Sequence, residues 1–221
     1  MIYEVAILIN LERRADRLDR VLKHLEKREI KNILVFPAFD MQVLSNIMVT
    51  PPKRNYFSWT TMNKGMISCS LSHIASLKMA KSLNYKSVLM IEDDAVLSQY
   101  FNDRLDLIEK ELPSDWQHLF LGGAIRKQNE MKKISEHIYT SCFTDCSHCY
   151  IVRNEGIKIV ADEMLKFNTT TDDAINDLIS SKRLISYTLL PLASYQYVGF
   201  SDVDNKFVAR NDTMNNYKEL S

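Results

Sequence analysis

Three consecutive acidic residues, Glu92-Asp93-Asp94, follow directly after the mainly apolar run at residues 87–91. A continuous run of this kind is typical of a strand buried on both faces, as in parallel sheets covered by helices. Adjacent carboxylates repel one another by about 1 kcal/mol per close pair, so the triplet requires a countercharge. A divalent cation that prefers oxygen ligands, Mn²⁺ or Mg²⁺, fits carboxylates at the end of a strand, together with nucleotide phosphates. The alternative is a solvated acidic turn.

Apolar runs alternate with helical stripes along the first ninety residues, which predicts the order β, α, β, α, β. This alternation favours an α/β sandwich with a mixed, largely parallel central sheet, in which ligands bind at the carboxyl ends of the strands. The predicted elements are a strand at residues 5–9, a helix at 11–25, a strand at 33–36, a helix at 70–80, a strand at 87–91, a helix at 103–111, strands at 118–121, 134–143 and 149–152, and a helix at 155–167.

The composition shows no bias towards one class of partner. The 221 residues, of which 46% are hydrophobic, suffice for one domain over residues 1–221, with a candidate flexible loop at residues 50–65 around two prolines. Because 28 basic residues balance 28 acidic ones, net charge draws the whole molecule neither to nucleic acid nor to anionic lipid. The apolar runs are far shorter than the roughly 20 residues of a membrane helix, and no cleavable apolar segment precedes the first strand. We therefore expect a cytoplasmic protein, with peripheral association at the inner face of a membrane as the alternative.

Two segments are candidates for binding phosphate. Residues 65–73 carry small and polar side chains that lead into a predicted helix, and a helix start offers free amides to an anion. Ordinary capping by Ser68 or Ser70 is the alternative, with His73 as a hydrogen-bonded helix histidine. The three arginines within residues 13–17 pair well with phosphate, although a solvated helix face with acidic partners explains them equally.

Three cysteines, Cys142, Cys146 and Cys149, stand in a C-x3-C-x2-C arrangement. Radical S-adenosylmethionine enzymes hold a four-iron cluster with this spacing, and thiolates are the ligands that such a cluster requires. With His148, the same group could instead bind zinc. Against both, residues 149–152 resemble a buried strand, in which cysteine behaves as a small hydrophobic residue. An iron–sulfur or zinc protein is the first alternative function.

Asp172 and Asp173 precede a helical stripe at residues 174–179. Either carboxylate could cap that helix. A carboxylate within hydrogen-bond reach of an attacking hydroxyl group could also act as a general base. Both interpretations stay open on these residues alone.

Taken in order, these segments resemble glycosyltransferase family 25, which includes bacterial lipooligosaccharide galactosyltransferases and collagen galactosyltransferases. Each block is short, but the ordered set spans most of the chain. The blocks that carry the resemblance are Ile9-Asn10-Leu11 with Arg13, Arg14 and Arg17; Gly65, Cys69 and Leu71-Ser72-His73; Ile91-Glu92-Asp93-Asp94; Asp115-Trp116 before Leu121-Gly122; His148-Cys149-Tyr150-Ile151; Asp172-Asp173; and Pro191 with Gln196.

The resemblance implies a GT-A-like, Rossmann-type sandwich that transfers a sugar with inversion at the anomeric carbon. The donor would be a UDP-hexose, and galactose or glucose would move to a hydroxyl group of a glycan or glycoconjugate, as in lipopolysaccharide biosynthesis. A divalent cation, Mn²⁺ or Mg²⁺, would neutralise the diphosphate leaving group. By this resemblance Glu92-Asp93-Asp94 takes the place of the Asp-x-Asp motif, with Asp94 and Glu92 as metal ligands.

The resemblance also implies roles for individual residues. Asp172 is expected to deprotonate the acceptor hydroxyl group, with Asp173 as the second candidate. The chain departs from the family pattern at Glu92, where the family has aspartate, and at Cys149, where alanine is more usual. It is also shorter than many relatives. A nucleotide-sugar or glycan-binding module without turnover is the second alternative function. The residues expected to hold the nucleotide-sugar are Asn10, Arg13, Arg17, Ser72, His73, Glu92 and Gln196.

Overall fold

The computed structural model describes residues 2–42 and 62–208, in which helices cover both faces of a seven-stranded sheet. Within these residues, no helix has the length and apolar character needed to span a bilayer. The α-helices are α1 (Ala15–Lys27), α2 (Lys64–Ser82), α3 (Phe101–Glu111), α4 (Glu155–Met164) and α5 (Thr171–Ser180), and a 3₁₀ turn lies at Gln128–Glu130. The strands are β1 (Val5–Asn10), β2 (Ile33–Pro37), β3 (Ser87–Glu92), β4 (Ala95–Leu97), β5 (His118–Phe120), β6 (Ala124–Ile125), β7 (Ile138–Thr140), β8 (Thr144–Asp145), β9 (Cys149–Arg153), β10 (Ser186–Leu189), β11 (Ser194–Gln196), β12 (Gly199–Ser201) and β13 (Lys206–Val208).

The strand order of the seven-stranded sheet is β2-β1-β3-β9-β5-β10-β7. Parallel pairing joins β1 to both β2 and β3, and β5 to β10. Strand β9 is antiparallel to its neighbours β3 and β5, and β7 is antiparallel to β10, so five strands point one way and two the other. The expected α/β sandwich with a mixed, largely parallel sheet is confirmed, as is the β, α, β, α, β order of the first ninety residues.

The sheet is buried on both faces because its central strands alternate apolar side chains between two cores. In β1, Ala6 and Leu8 belong to the core that contains α1 and α3, whereas Val5, Ile7 and Ile9 belong to the core that contains α2, α4 and α5. Burial of a Leu, Ile or Val side chain contributes about 1.5–3 kcal/mol. These two cores hold β1 and β3 side by side, so that the carboxyl ends of both strands meet at one edge.

Helix α2 begins at Lys64, earlier than the predicted helix at residues 70–80. The N-cap is Asn63, whose side-chain oxygen accepts a hydrogen bond of 2.8 Å from a backbone N–H of the first turn. The capping predicted for Ser68 or Ser70 is therefore wrong, because both residues lie inside the helix. Their backbone amides belong to the helix, so they do not offer the free N–H groups expected for an anion.

Two other predictions change in extent. Of the loop expected at residues 50–65, residues 50–61 lie outside the described residues. At its other end, Gly65 belongs to α2. A Cβ atom at Gly65 would collide with the backbone oxygen of Val203, so the close approach of the turn between β12 and β13 requires glycine. The strand predicted at residues 134–143 is limited to the three residues of β7 at the edge of the sheet.

Candidate active site

A cleft of about 600 Å³ opens at the carboxyl ends of β1 and β3, against α2, α5 and the turn between β12 and β13. This is the edge at which α/β sheets usually bind ligands. Asn10 and Arg13 were also expected at the site, but neither is among the described residues that line this cleft. The expected site residues that do line it are Arg17, Ser72, His73, Glu92, Asp94, Asp172, Asp173 and Gln196.

The acidic turn, residues 92–94, joins β3 to β4 and directs its three carboxylates to three different parts of the fold. The first faces α2, where Glu92 Oε1 lies 3.2 Å from Nε2 of His73. The second, that of Asp93, faces α1 and the end of β1. The third faces β11, because β4 pairs with β11 and places Gln196 opposite Ala95. The three acids are adjacent in the sequence, but each carboxylate has different neighbours in the fold.

Asp93 is the charge-paired member of the acidic turn, and only 7% of its surface is exposed. Its carboxylate accepts a hydrogen bond from Asn10 Nδ2 at 2.8 Å and pairs with an Arg17 guanidinium nitrogen at 2.9 Å. Burial raises the pKa of Asp93, whereas Arg17 and Asn10 act in the opposite direction. Both residues, which were expected to contact the nucleotide, hold the acidic turn in this structure.

Asp94 is the member of the acidic turn whose carboxylate is least satisfied. Oδ2 accepts a hydrogen bond from Gln196 Nε2 at 2.9 Å, but Oδ1 is buried and has no hydrogen-bond partner among the described residues. Burial, followed by the charges of Glu92 and Asp93, raises the pKa of Asp94 to about 7. A buried polar atom without a partner is costly, and a cation bound to Oδ1 would remove that cost.

The arginines that follow β1 pair with Asp202, which lies in the turn between β12 and β13. The Asp202 carboxylate lies 2.7 Å from Arg13, 2.6 Å from Arg14 and 3.5 Å from Arg17. Arg13 also pairs with Asp40 at 2.7 Å. These pairs match the alternative given for the three arginines, in which acidic side chains are their partners. In this structure Asp202 provides the negative charge that a phosphate would otherwise supply.

Ser72 and His73 line the cleft while they are also held by hydrogen bonds within the fold. His73 Nδ1 lies 3.0 Å from the hydroxyl group of Tyr150 on β9, and Nε2 faces Glu92. The Ser72 hydroxyl group donates to a backbone carbonyl of its own helix at 2.7 Å and accepts from the backbone N–H of Phe39 at 2.9 Å. The interpretation of His73 as a hydrogen-bonded helix histidine is confirmed, at a position that also faces the cleft.

Asp172 is fixed in place by the loop that precedes β9. One carboxylate oxygen accepts a hydrogen bond from the backbone N–H of Cys146 at 2.7 Å. The other accepts from the backbone N–H of Ser147 at 3.0 Å and from its hydroxyl group at 2.6 Å. Burial raises the pKa of Asp172, and the hydrogen bonds from Ser147 and Cys146 oppose that rise. The result is a carboxylate of fixed orientation at the wall of the cleft.

Asp173 is held less firmly than Asp172. Its carboxylate accepts a hydrogen bond of 3.1 Å from the hydroxyl group of Thr169. The N-cap of α5 is Thr170, whose side chain accepts a hydrogen bond from the backbone N–H of Asp173. The alternative that one of the two aspartates caps this helix is therefore wrong.

The three cysteines considered as cluster ligands do not come together. Within residues 2–42 and 62–208, the groups of three metal-ligating side chains with atoms inside 4.8 Å of one another do not include Cys142, Cys146 or Cys149. Cys149 is fully buried in β9, and burial raises the pKa of its thiol to about 12. This geometry contradicts an iron–sulfur or zinc centre at these cysteines, with or without His148.

Three residues shape the site without having been predicted to do so. Asp202 gives no local sequence signal, because its partners precede it by more than 180 residues. Ser147 lies beside the block that begins at His148, and Tyr150 lies within that block, so their positions were visible but their partners were not. Such long-range contacts depend on the topology of the sheet rather than on motif spacing.

A family model described as "Glycosyltransferase family 25 (LPS biosynthesis protein)" matches residues 4–178. Procollagen galactosyltransferase 2 of Mus musculus is 25% identical over 244 residues, which cover 96% of this chain and 39% of that protein. The inactive glycosyltransferase 25 family member 3 of Homo sapiens is 28% identical over 141 residues, which cover 59% of this chain and 23% of that protein. The chain therefore spans about two-fifths of the length of the first of these relatives. A solved glycosyltransferase involved in the glycosylation of the major capsid of PBCV-1 is similar with a TM-score of 0.48 and 8% identity, over 91% of this chain and 97% of that one.

Proposed function

We propose that this chain, which belongs to glycosyltransferase family 25, transfers a hexose from a UDP-sugar to a hydroxyl group of a glycan or glycoconjugate, with inversion at the anomeric carbon. Galactose is the first choice of sugar, because a relative named as a galactosyltransferase aligns with 96% of the chain, and glucose is the second. The observation that carries the proposal is the buried Oδ1 of Asp94, which has no hydrogen-bond partner among the described residues and lies beside the cleft.

The acidic turn has the donor atoms that a divalent cation requires. Carboxylate oxygens suit Mn²⁺ and Mg²⁺, and we assign Asp94 and Glu92 as the residues that would hold the ion. When bound, such an ion supplies positive charge that stabilises the departing diphosphate. Asp93 is not assigned to this role, since its charge is already paired with the Arg17 guanidinium at 2.9 Å and its other oxygen accepts a hydrogen bond from Asn10.

Asn10 and Arg17 act as positioning residues in this proposal. They fix the side chain of Asp93, and with it the turn from which Glu92 and Asp94 project. A site whose charges are oriented before the substrate arrives needs little reorganisation during the reaction, and this preorganisation is a major source of catalysis.

Arg17, which lines the cleft, and Arg13, whose partner Asp202 lines it, are proposed to bind the diphosphate through exchange with Asp202. Both arginines pair with that carboxylate, and Arg14 contributes a third pair. Arginine binds carboxylate and phosphate with the same planar set of donors. A diphosphate could therefore take over contacts that Asp202 makes in this structure.

Asp172 is the proposed general base. It would accept the proton of the acceptor hydroxyl group while the hydroxyl oxygen forms a bond to the anomeric carbon and the bond from that carbon to the diphosphate breaks. Its orientation is fixed by Cys146 and Ser147, and burial raises its pKa, which makes it a stronger base than an exposed aspartate. Asp173 is the weaker candidate, because the one hydrogen bond described for its carboxylate, from Thr169, orients it less.

The test of this function is UDP release from UDP-galactose and from UDP-glucose, with Mn²⁺ or with EDTA. We expect release with Mn²⁺, loss of release in EDTA, and a loss of about 100-fold or more in Asp94→Asn. Ser135→Ala changes a residue that is not among those lining the cleft, and it controls for effects of substitution and purification on the measured release. Release that is unchanged in EDTA and in Asp94→Asn would contradict the proposal.

A binding module without turnover is the second candidate, because relatives named as inactive family members also match the chain. Such a module would bind UDP-sugar in a calorimeter and release no UDP. The buried Asp94 oxygen that lacks a hydrogen-bond partner among the described residues favours the active enzyme, since such an oxygen is costly to retain unless a cation binds it.

A further inference from the structure

Cys69, His73 and Glu92 bring a sulfur, a nitrogen and an oxygen atom within 4.8 Å of one another. Cys69 and His73 are four residues apart on α2, so both lie on one face of the helix, the spacing at which a helix presents two metal ligands side by side. Glu92 reaches them from the end of β3 and lies 3.2 Å from His73. All three side chains line the cleft, which leaves one side of the group open.

We infer that Cys69, His73 and Glu92 form a binding site for Zn²⁺, chemically distinct from the oxygen site proposed at Asp94. A thiolate and an imidazole with one carboxylate favour Zn²⁺ over Mn²⁺ and Mg²⁺. Tetrahedral zinc with three protein ligands and an open fourth position is a common arrangement. Zinc bonds of about 2.0–2.3 Å place tetrahedral ligand atoms about 3.3–3.6 Å apart. His73 Nε2 and Glu92 Oε1 are already 3.2 Å apart, and the sulfur atom of Cys69 lies within 4.8 Å of both.

The hydrogen bond at the other ring nitrogen of His73 supports this inference. A ligating histidine usually engages its second nitrogen in a hydrogen bond that fixes the ring, and here Nδ1 lies 3.0 Å from the hydroxyl group of Tyr150. The two rings are stacked, with centroids 5.9 Å apart, and Tyr150 is fully buried. The imidazole is therefore held with Nε2 towards Glu92 before any ion binds.

Formation of the site requires little rearrangement at Cys69. Its thiol makes a contact of 3.7 Å with the hydroxyl group of Thr171, which is weak and easily replaced. The thiol proton passes to solvent as the bond from sulfur to the metal forms, so no oxidant or reductant is required. Glu92 is shared with the proposed oxygen site, and zinc is expected to withdraw it from Asp94. The zinc site itself is inferred from these side chains and does not depend on sugar transfer.

A titration of the metal-free protein with Co²⁺ tests the inference, because a thiolate bound to cobalt gives a sulfur-to-metal charge-transfer absorption. One equivalent of Co²⁺ is expected to produce this band together with the visible bands of a tetrahedral ion, and Zn²⁺ is expected to remove both by displacement. Cys69→Ser should lose the charge-transfer band. Cys142→Ser, a matched change at a cysteine outside the group, should keep it.

Two further variants distinguish a specific change in metal binding at this site from general misfolding and from loss of the proposed transfer reaction. Tyr150→Phe removes the hydroxyl group that faces His73 and should weaken Co²⁺ binding about 10-fold or more while the band persists at saturation. Asp94→Asn should leave the band unchanged, so failure of the transferase proposal and failure of the zinc site have different signatures.

A measurement on the unaltered protein covers the case in which Cys69→Ser does not fold. Zn²⁺ is expected to protect Cys69 from alkylation by iodoacetamide, with the rate at Cys142 unchanged, as followed by peptide mass spectrometry. Absence of the charge-transfer band in the unaltered protein, its persistence in folded Cys69→Ser, or equal labelling of Cys69 with and without Zn²⁺ would each overturn the inference.

Discussion

Two groups of carboxylates line the same cleft and are satisfied in different ways. At the start of α5, Asp172 accepts three hydrogen bonds from Cys146 and Ser147. In the acidic turn, Asp94 has one buried oxygen without a hydrogen-bond partner among the described residues. Burial raises the pKa of both aspartates. The two therefore differ in the number of hydrogen-bond donors around the carboxylate rather than in burial.

One residue type thus has two different environments in a single cleft, and each environment suits a different chemical role. A carboxylate surrounded by N–H and O–H donors has a fixed orientation, which suits transfer of a proton at a defined atom. A carboxylate with a buried, partner-free oxygen and acidic neighbours attracts a cation.

The largest effect is expected at Asp172. Replacement by asparagine removes the proposed base, and kcat should fall about 10²–10⁴-fold, with a smaller change in KM for the UDP-sugar. The matched change Asp173→Asn should leave kcat close to that of the unaltered protein. Steady-state UDP release measures both, and an equal loss in the two variants would remove the distinction between these neighbours.

Loss of the buried pair between Arg17 and Asp93 should have the next largest effect. Arg17→Gln leaves the Asp93 charge buried without its partner, and the free energy of unfolding should fall by about 3–5 kcal/mol. Urea denaturation measures this loss. The double variant Arg17→Gln with Asp93→Asn should recover part of it, and simple addition of the two single effects would show that the pair is not coupled.

Asp94 should make the stability of the metal-free protein fall as the pH rises. Its pKa is about 7 in the fold and 3.8 ordinarily, so between these values the native state binds more protons than the unfolded chain. This destabilisation begins near pH 4 and is complete just above pH 7, where it amounts to a few kcal/mol. Asp94→Asn should lack this component, as measured by urea denaturation in EDTA. A stability difference between the two proteins that does not change with pH would contradict the burial of this charge.

The smallest effect is expected at the N-cap of α5. Thr170→Ala removes the oxygen that accepts from the backbone N–H of Asp173, and the free energy of unfolding should fall by about 1 kcal/mol. Thr169→Ala, which loses a hydrogen bond to the Asp173 side chain, is the neighbouring control and should cost less. Thermal unfolding of both variants ranks them, and the reverse order would show that Thr170 does not cap the helix.

Much of the fold could be predicted because the central strands are continuous apolar runs. Strands β1, β3 and β9 lie where those runs lie, and a continuous apolar run is typical of a strand buried on both faces, as these strands are. The start of α2 could not be predicted, because Ser68 and Ser70 look like loop or capping residues. In the fold they are buried inside the helix, where Ser70 lies 3.2 Å from the hydroxyl group of Thr171.

The candidate site was predictable in position but not in its internal pairing. The acidic triplet was correctly placed at the carboxyl end of a buried strand, because that placement follows from the local pattern alone. Which acid pairs with Arg17 depends on a contact across 76 residues, and the pairing of the arginines with Asp202 spans still more of the chain. Such contacts are decided by the packing of α1 and of the turn between β12 and β13.

The central claim, that Asp94 serves as a ligand for a divalent cation, is tested most directly by Mn²⁺ binding in the presence of UDP, followed by electron paramagnetic resonance. The unaltered protein should bind Mn²⁺ more tightly above a pH of about 7 than below it, since Asp94 must first lose its proton. Asp94→Asn should weaken binding more than about 10-fold, whereas Asp173→Asn should not change it. Equal Mn²⁺ affinity in the unaltered protein and in Asp94→Asn would contradict the claim.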